Sequence, residues 1–220
     1  MSEPERNQIQ VAALCGSLRE NSFTAAALRI ALEGARQFGA TTEFIDLRDY
    51  RLPLHAGITS SHDSSEDVLM LKRIAKASDA LILGTPEYHG SFSGVLKNAL
   101  DFLTFDEMEG KMIGLIGVSG GAMGAFDALN GLRSVGRALH AWVLPQQVTI
   151  AEAFKVFDSD GNLRDRDLEQ RLRAVGTEAA RFAHLHKCGR VSEFLQTWET
   201  APVNPGGTLS ARPQPPRPDR

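Results

Sequence analysis

The chain has 220 residues, a formal net charge of −3 and 42% hydrophobic residues. That length supports one α/β domain with its own core, and the mild charge excludes a surface built for nucleic acid or for anionic membranes. No apolar stretch approaches the roughly 20 residues that cross a bilayer, so membrane insertion is excluded as well.

Residues 1–8 read as a short extension without the apolar core of a signal peptide. Residues 9–15 predict a first strand that ends in Gly16-Ser17, and residues 23–38 a first helix. A second strand follows near 42–46. Residues 46–62 carry Pro53 and Gly57 and read as a long surface excursion. A helix over 64–77, a third strand over 80–84 and a helix over 94–103 come next. The fourth strand spans 112–118, and the next helix starts at Met123 or Ala125 and ends at Leu139. The fifth strand begins at Ala141 and continues to Val148. Residues 150–163 form a second excursion, in which Phe154 and Phe157 pack either locally or on a second subunit. A last helix covers 165–184. The expected domain spans 9–200. The tail, 201–220, holds six of the chain's ten prolines and cannot bury enough apolar surface to offset its ordering entropy. Cys15 and Cys188 are far apart and have neither Cys-x-x-Cys nor zinc spacing, so no metal site is expected and the compartment reads as a reducing cytoplasm.

Strands one, three and four are almost continuously apolar, which argues for parallel strands covered on both faces. Alternation with helices implies right-handed crossovers and a doubly wound sheet of five strands in the order 2-1-3-4-5. Its switch point lies between strands one and three, where open α/β sheets take their ligands.

Both strands at that point end in suggestive loops. The first reads Gly16-Ser17-Leu18-Arg19-Glu20-Asn21-Ser22 and opens a helix at Phe23. A helix N-terminus receives anions, Ser17 and Ser22 offer hydroxyls, and Arg19 offers charge-assisted bonds. Gly-x-Gly-x-x-Gly is absent, which favours a terminal monophosphate over a bridging pyrophosphate. A plain N-cap explains the same serines. The other loop reads Thr85-Pro86-Glu87-Tyr88-His89-Gly90-Ser91 and offers backbone N–H groups and a flat ring to a planar heterocycle. Ser119-Gly120-Gly121, after strand four, lets backbone approach a ligand edge.

Together with Gly94-Val95-Leu96-Lys97-Asn98-Ala99-Leu100-Asp101, these loops resemble the NADPH-dependent FMN reductase family of flavodoxin-like proteins. The resemblance covers most of the chain. It implies FMN held by Gly16, Ser17, Arg19, Ser22, Phe23, Pro86, Glu87, Tyr88, His89, Gly90, Ser119, Gly120 and Gly121. It implies NADPH as donor, with NADH the alternative, and a small acceptor such as free flavin, a quinone, an azo compound or a metal ion. The flavin carries the chemistry, so no catalytic side chain is expected. A homodimer or homotetramer built around the helix after Tyr88 is implied too. The chain departs from the family pattern at His89, often Asn, at Ser93, usually Pro, and at Phe102, often Trp. Two other readings differ in class: an FMN electron carrier for protein partners, and a scaffold with a vestigial pocket. Flavodoxin carriers are more acidic than this chain.

Overall fold

Strand β1 (Gln10–Cys15) buries both of its faces. Val11, Ala13 and Cys15 enter one hydrophobic core, and Ala12 and Leu14 enter the other. This is the period-two alternation of a central strand. The computed structural model describes residues 9–57, 64–158 and 160–187. Around β1 lie β2 (Thr41–Asp46), β3 (Ala80–Tyr88), β5 (Met112–Val118) and β6 (Trp142–Ile150), all parallel, in the order β2-β1-β3-β5-β6. The flavodoxin-like order expected for five parallel strands is present. An addition that no periodicity signalled is β4 (Ser91–Phe92), a two-residue strand antiparallel to the end of β3.

Helices α1 (Phe23–Phe38) and α7 (Arg166–Lys187) cover one face of the sheet. Helices α2 (Glu66–Ala77), α3 (Gly94–Asp101), α4 (Phe105–Met108) and α5 (Phe126–Ala138) cover the other. The α1 and α7 backbones nearly touch. A Cβ on Gly176 would stand 1.7 Å from the Ala31 carbonyl oxygen, and one on Gly34 would stand 2.0 Å from that of Arg173. Described residues up to His184 belong to one compact unit; a second begins at Leu185, of which 185–187 are described. The extension 1–8 and the tail 201–220 lie outside the described residues.

Several boundaries move for local reasons. β3 continues four residues past Gly84 because its end pairs with β4 and, at Thr85 and Pro86, with β5. β6 runs on to Ile150 and bulges where Ile113 pairs with Val143 but Leu115 with Gln147. Pro145 sits in that bulge on an edge strand, a place where its missing N–H is tolerated. α5 starts at Phe126 because Gly124, at φ 73°, is left-handed and interrupts the helix. In the first excursion, Leu47–Asp49 makes a 3₁₀ turn, and Asn98 of α3 pins the chain beyond it. The Asn98 amide donates to Pro53 C=O at 2.8 Å and accepts from His55 N–H at 2.9 Å. In the second excursion, α6 (Ala153–Val156) leads into a turn closed on the Asp158 carboxylate. Phe157 packs within its own chain, its ring stacked on Phe23 of α1 at 4.9 Å, while Phe154 is 61% exposed.

At the end of β2 the buried Asp46 carboxylate meets Arg48 in a fork, Nε to Oδ1 at 3.0 Å and Nη2 to Oδ2 at 2.6 Å. The Arg48 side chain, bonded to it, holds the Asp46 carboxyl below the usual aspartate range. Among the described residues no helix is long and apolar enough to cross a membrane. Nor do three or more His, Cys, Asp or Glu side chains gather where they could hold a metal.

Replacing Gly176 with Ala should lower unfolding free energy by about 3 kcal/mol, since the new methyl meets backbone that cannot yield. Gly94→Ala, whose Cβ meets nothing within 4 Å, should instead leave stability unchanged or raise it by up to about 1 kcal/mol in the same urea titration. For Asp46, a lowered folded-state pKa means stability that is present above the unfolded value and lost as pH falls through the folded one. The melting temperature of wild type should therefore exceed that of Asp46→Asn at pH 7, and the gap should close as pH drops below about 3.9.

Candidate active site

β1 stops at Cys15, paired with Gly84, while β3 runs on to Tyr88. The loop after β1 thus leaves the sheet beside a wall made by the projecting end of β3. Gly16 N–H donates to Gly84 C=O at 2.8 Å and extends the pairing by one residue. A Cβ on Gly16 would lie 2.7 Å from the Leu96 Cβ and 2.9 Å from the Ser93 Oγ. Close approach to α3, not a left-handed turn, is therefore what position 16 requires.

Ser93 fixes this junction. Its hydroxyl donates to Gly16 C=O at 2.6 Å and accepts from Leu96 N–H at 3.2 Å, capping α3. Its own N–H donates to the Thr85 hydroxyl at 2.9 Å, and that hydroxyl donates to Pro86 C=O at 2.8 Å. Where the family usually places proline, this chain holds the turn with hydrogen bonds.

A cleft of about 370 Å³ opens above the switch point. Ser17, Arg19, Ser22 and Phe23 line it from the first loop, Pro86, Glu87 and Tyr88 from β3, and Ser119, Gly120 and Gly121 from the loop after β5. Three expected residues do not line it. Gly16 lies behind the first loop. His89 and Gly90, at φ 53° and 75°, form the two-residue turn between Tyr88 and Ser91. Two consecutive positive-φ residues are the mark of a type I′ hairpin turn, where Asn-Gly is the favoured pair. The frequent Asn at position 89 in the family thus matches a backbone requirement that His also tolerates.

The lining also holds residues outside the set expected from the motifs: Asn21, Thr24, Val118, Ala153 and Phe154. Asn21 and Thr24 lie inside or beside the first motif and could have been included by proximity. Ala153 and Phe154 had no such signal. They reach the cleft because Glu152 N–H donates to Gly121 C=O at 3.1 Å and Ala153 N–H to Ser119 C=O at 3.0 Å. Glu152 adopts a left-handed conformation, φ 44°, to make that bend.

The donor set suits a phosphate at the first loop. Ser22 caps α1 by accepting from Ala25 N–H at 3.2 Å, and Ala26 N–H bonds Ser22 C=O at 3.0 Å. The amides of Phe23 and Thr24 then have no partner among the described residues. Two free N–H groups at a helix N-terminus, with Arg19 and two serines beside them, are the donor set that a phosphate would need. Ser22 is an N-cap that also lines the cleft. Below the loop lies Cys15, fully buried, its thiol pushed up by burial. Glu87 is committed elsewhere: its carboxylate accepts from Ala128 N–H at 3.1 Å, capping α5, whose own N-cap Ala125 has no side chain to do so. Asp101 pairs with Lys97 one turn away. A larger groove of about 800 Å³ runs along the outer side of α1 and shares Asn21, Ser22 and Phe23 with the cleft. It lacks the β3 and β5 loops and is more open to solvent.

Residues 9–155 match the model of the NADPH-dependent FMN reductase family. The chain belongs to that family. It is an oxidoreductase whose chemistry runs through FMN and NADPH. An FMN-dependent NADPH-azoreductase of Staphylococcus aureus is 39% identical over 166 residues, covering 73% of this chain and 87% of the relative. Among solved structures, the flavoenzyme NAD(P)H:(acceptor) oxidoreductase FerB from Paracoccus denitrificans superposes with a TM-score of 0.67 at 25% identity, over 81% of this chain and 98% of that one. An oxidoreductase from Corynebacterium diphtheriae gives 0.64 at 21% identity, over 83% and 100% of the chains, a likeness of fold alone.

His89→Asn should raise the melting temperature by a degree or more, and His89→Val should lower stability by about 1–2 kcal/mol, because a β-branched residue is strained at positive φ. Thermal unfolding of the two variants against wild type tests the turn assignment.

Proposed function

We propose that the 370 Å³ cleft is the flavin site of this FMN-dependent NAD(P)H oxidoreductase. The free amides of Phe23 and Thr24, together with Ser17, Arg19 and Ser22, receive the 5′-phosphate. This is the observation that carries the reading: the helix N-terminus opens into a cleft at the switch point, beside Arg19, where an anion is received. Pro86 and Tyr88 on one side and Ser119, Gly120 and Gly121 on the other bound the ring. A Cβ added to Gly120 would meet nothing within 4 Å, so its backbone is open to a ligand edge. Glu87 shapes the wall through its bond to α5. His89 and Gly90 set the hairpin that holds Tyr88 in place.

When bound, FMN accepts hydride from NADPH and passes reducing equivalents to the acceptor. The chain's residues bind and orient; none needs to move a proton in the first half-reaction. Tyr88, 45% exposed, and Phe154, 61% exposed, flank the mouth of the cleft and offer flat apolar surface to a planar second substrate. An azo compound, a quinone or free flavin fits that surface, and the azo class is the one named for the 39% identical relative. We place the enzyme in the cytoplasm, on the buried free thiol of Cys15 and the absence of disulfide spacing. A homodimer or homotetramer is proposed from Leu54, Met123 and Phe126, which are 84%, 91% and 56% exposed; sedimentation of the purified chain tests it.

Anaerobic NADPH added to the FMN-loaded protein should bleach the oxidised flavin band quickly. Bound flavin that stays oxidised would favour a carrier of electrons between proteins. The double variant Ser17→Ala/Arg19→Ala should bind FMN at least roughly tenfold more weakly, since a charge-assisted hydrogen bond is worth about 1.5–3 kcal/mol. Unchanged affinity would sink the phosphate assignment.

A further inference from the structure

Asp46 ends β2 directly opposite Cys15, the last residue of β1. Its carboxylate therefore stands level with the start of the loop that opens the flavin cleft. Arg48 grips that carboxylate with Nε and Nη2, and its backbone N–H donates to the same carboxylate at 3.1 Å. The remaining guanidinium nitrogen, Nη1, donates to Glu20 C=O at 3.2 Å. Glu20 lies in the middle of the loop that runs from Ser17 to the Ser22 cap.

Ser17 and Ser22 at its ends are buried, but residues 18–21 are exposed and have little else to hold them. Leu18 is 54% exposed. Within 18–21, Arg19 N–H donates to the Ser17 hydroxyl at 3.4 Å, a bond inside the loop itself. Among the described residues, Arg48 alone reaches 18–21 by hydrogen bond from another element. Arg48 does not line the cleft; it lines the groove on the far side of the loop. Much of its charge is offset by Asp46 at 2.6 Å. Its leverage on a phosphate is thus mainly geometric. A planar guanidinium fixed at two points presents its third edge in one orientation, and a loop set in its bound form before the ligand arrives loses less entropy on binding.

We propose that Arg48, anchored by Asp46, is a positioning residue that holds residues 17–22 in the conformation that receives the flavin's 5′-phosphate. The proposal rests on the assignment of that loop to the phosphate. Its signature is selectivity: the clamp acts where FMN has a phosphate and riboflavin has none, so losing it weakens FMN without weakening riboflavin.

The test is titration of the flavin-free full-length protein with FMN and with riboflavin, followed by flavin fluorescence, for wild type, Arg48→Gln, Arg48→Lys and Ser17→Ala/Arg19→Ala. Arg48→Gln should weaken FMN roughly tenfold and leave riboflavin within about twofold. Arg48→Lys, which keeps the charge and loses the fork, should not restore FMN affinity, and it also serves if the Gln variant fails to fold. Wild-type FMN affinity in Arg48→Lys, or equal losses for both flavins in either variant, overturns the proposal. If the preference for FMN responds to Ser17 and Arg19 but not to Arg48, only the clamp falls. If it responds to neither, the phosphate loop itself is misassigned.

Discussion

Ser93 joins the two chain segments between which the cleft opens. Its hydroxyl bonds the Gly16 carbonyl and the Leu96 amide, and its amide bonds the Thr85 hydroxyl. Ser93 is 3% exposed and Thr85 is fully buried. At such burial a lost partner leaves a desolvated polar group, which costs more than the bond itself contributes in water. The three contacts therefore stand or fall as a set. They fix where the β1 loop departs, where β3 gives way to its hairpin and where α3 begins. A proline at position 93 would accept the observed φ of −64° but would abolish both the amide and the hydroxyl. The chain has cross-linking where a proline would supply ring rigidity, and this is possible because Gly16 has no Cβ to keep the hydroxyl away.

The central strands were legible because they are buried on both sides. Nothing polar interrupts residues 80–84 or 112–118, and an apolar run that short, bounded by turn residues, reads as a fully covered strand. Three helix starts carry a mark visible in the sequence: Ser22, Ser65 and Ser93 each accept from the amide three residues on, as a serine ahead of a helical pattern does. What escaped was short or made through space. β4 has two residues and no period to detect. α6 has four, and its place depends on Phe157 finding Phe23 across more than a hundred residues. The role of Glu87 as a cap for α5 depends on a partner 41 residues away. The grip of Arg48 on Glu20 spans 28. Sequence motifs marked which loops face the crevice. They could not separate side chains that line it from those that hold the lining in place.

That separation explains a pattern in the first two motifs. Ser17, Arg19 and Ser22 face the cleft, while Gly16 between strand and loop is buried structure. Pro86 and Tyr88 face it, while Thr85, His89 and Gly90 aim the strand and its turn. In both motifs, residues that line the cleft sit next to residues that shape the backbone. A motif preserved for either reason reads the same in one dimension.

The cleft's resources are unevenly distributed, and the chemistry follows from that. Its charge-binding groups are concentrated at one end, on the first turn of α1 and the loop before it. The rest of its lining supplies backbone, small residues, Glu87 with its carboxylate bonded to α5, and the apolar surfaces of Pro86, Val118, Tyr88 and Phe154. With the flavin anchored as proposed, a cofactor carrying a phosphate gains charge-assisted bonds, each worth about 1.5–3 kcal/mol. A second substrate meets mostly apolar contact, for which a missing or extra methylene changes discrimination by only about 1–3 kcal/mol. Such a site is exacting about its cofactor and permissive about its acceptor. Selectivity among acceptors must then come from the shape of the mouth, where Tyr88 is held by a two-residue hairpin and Phe154 by a bend through the left-handed Glu152. On that reading those two supports, and not the flavin contacts, would set what this chain reduces.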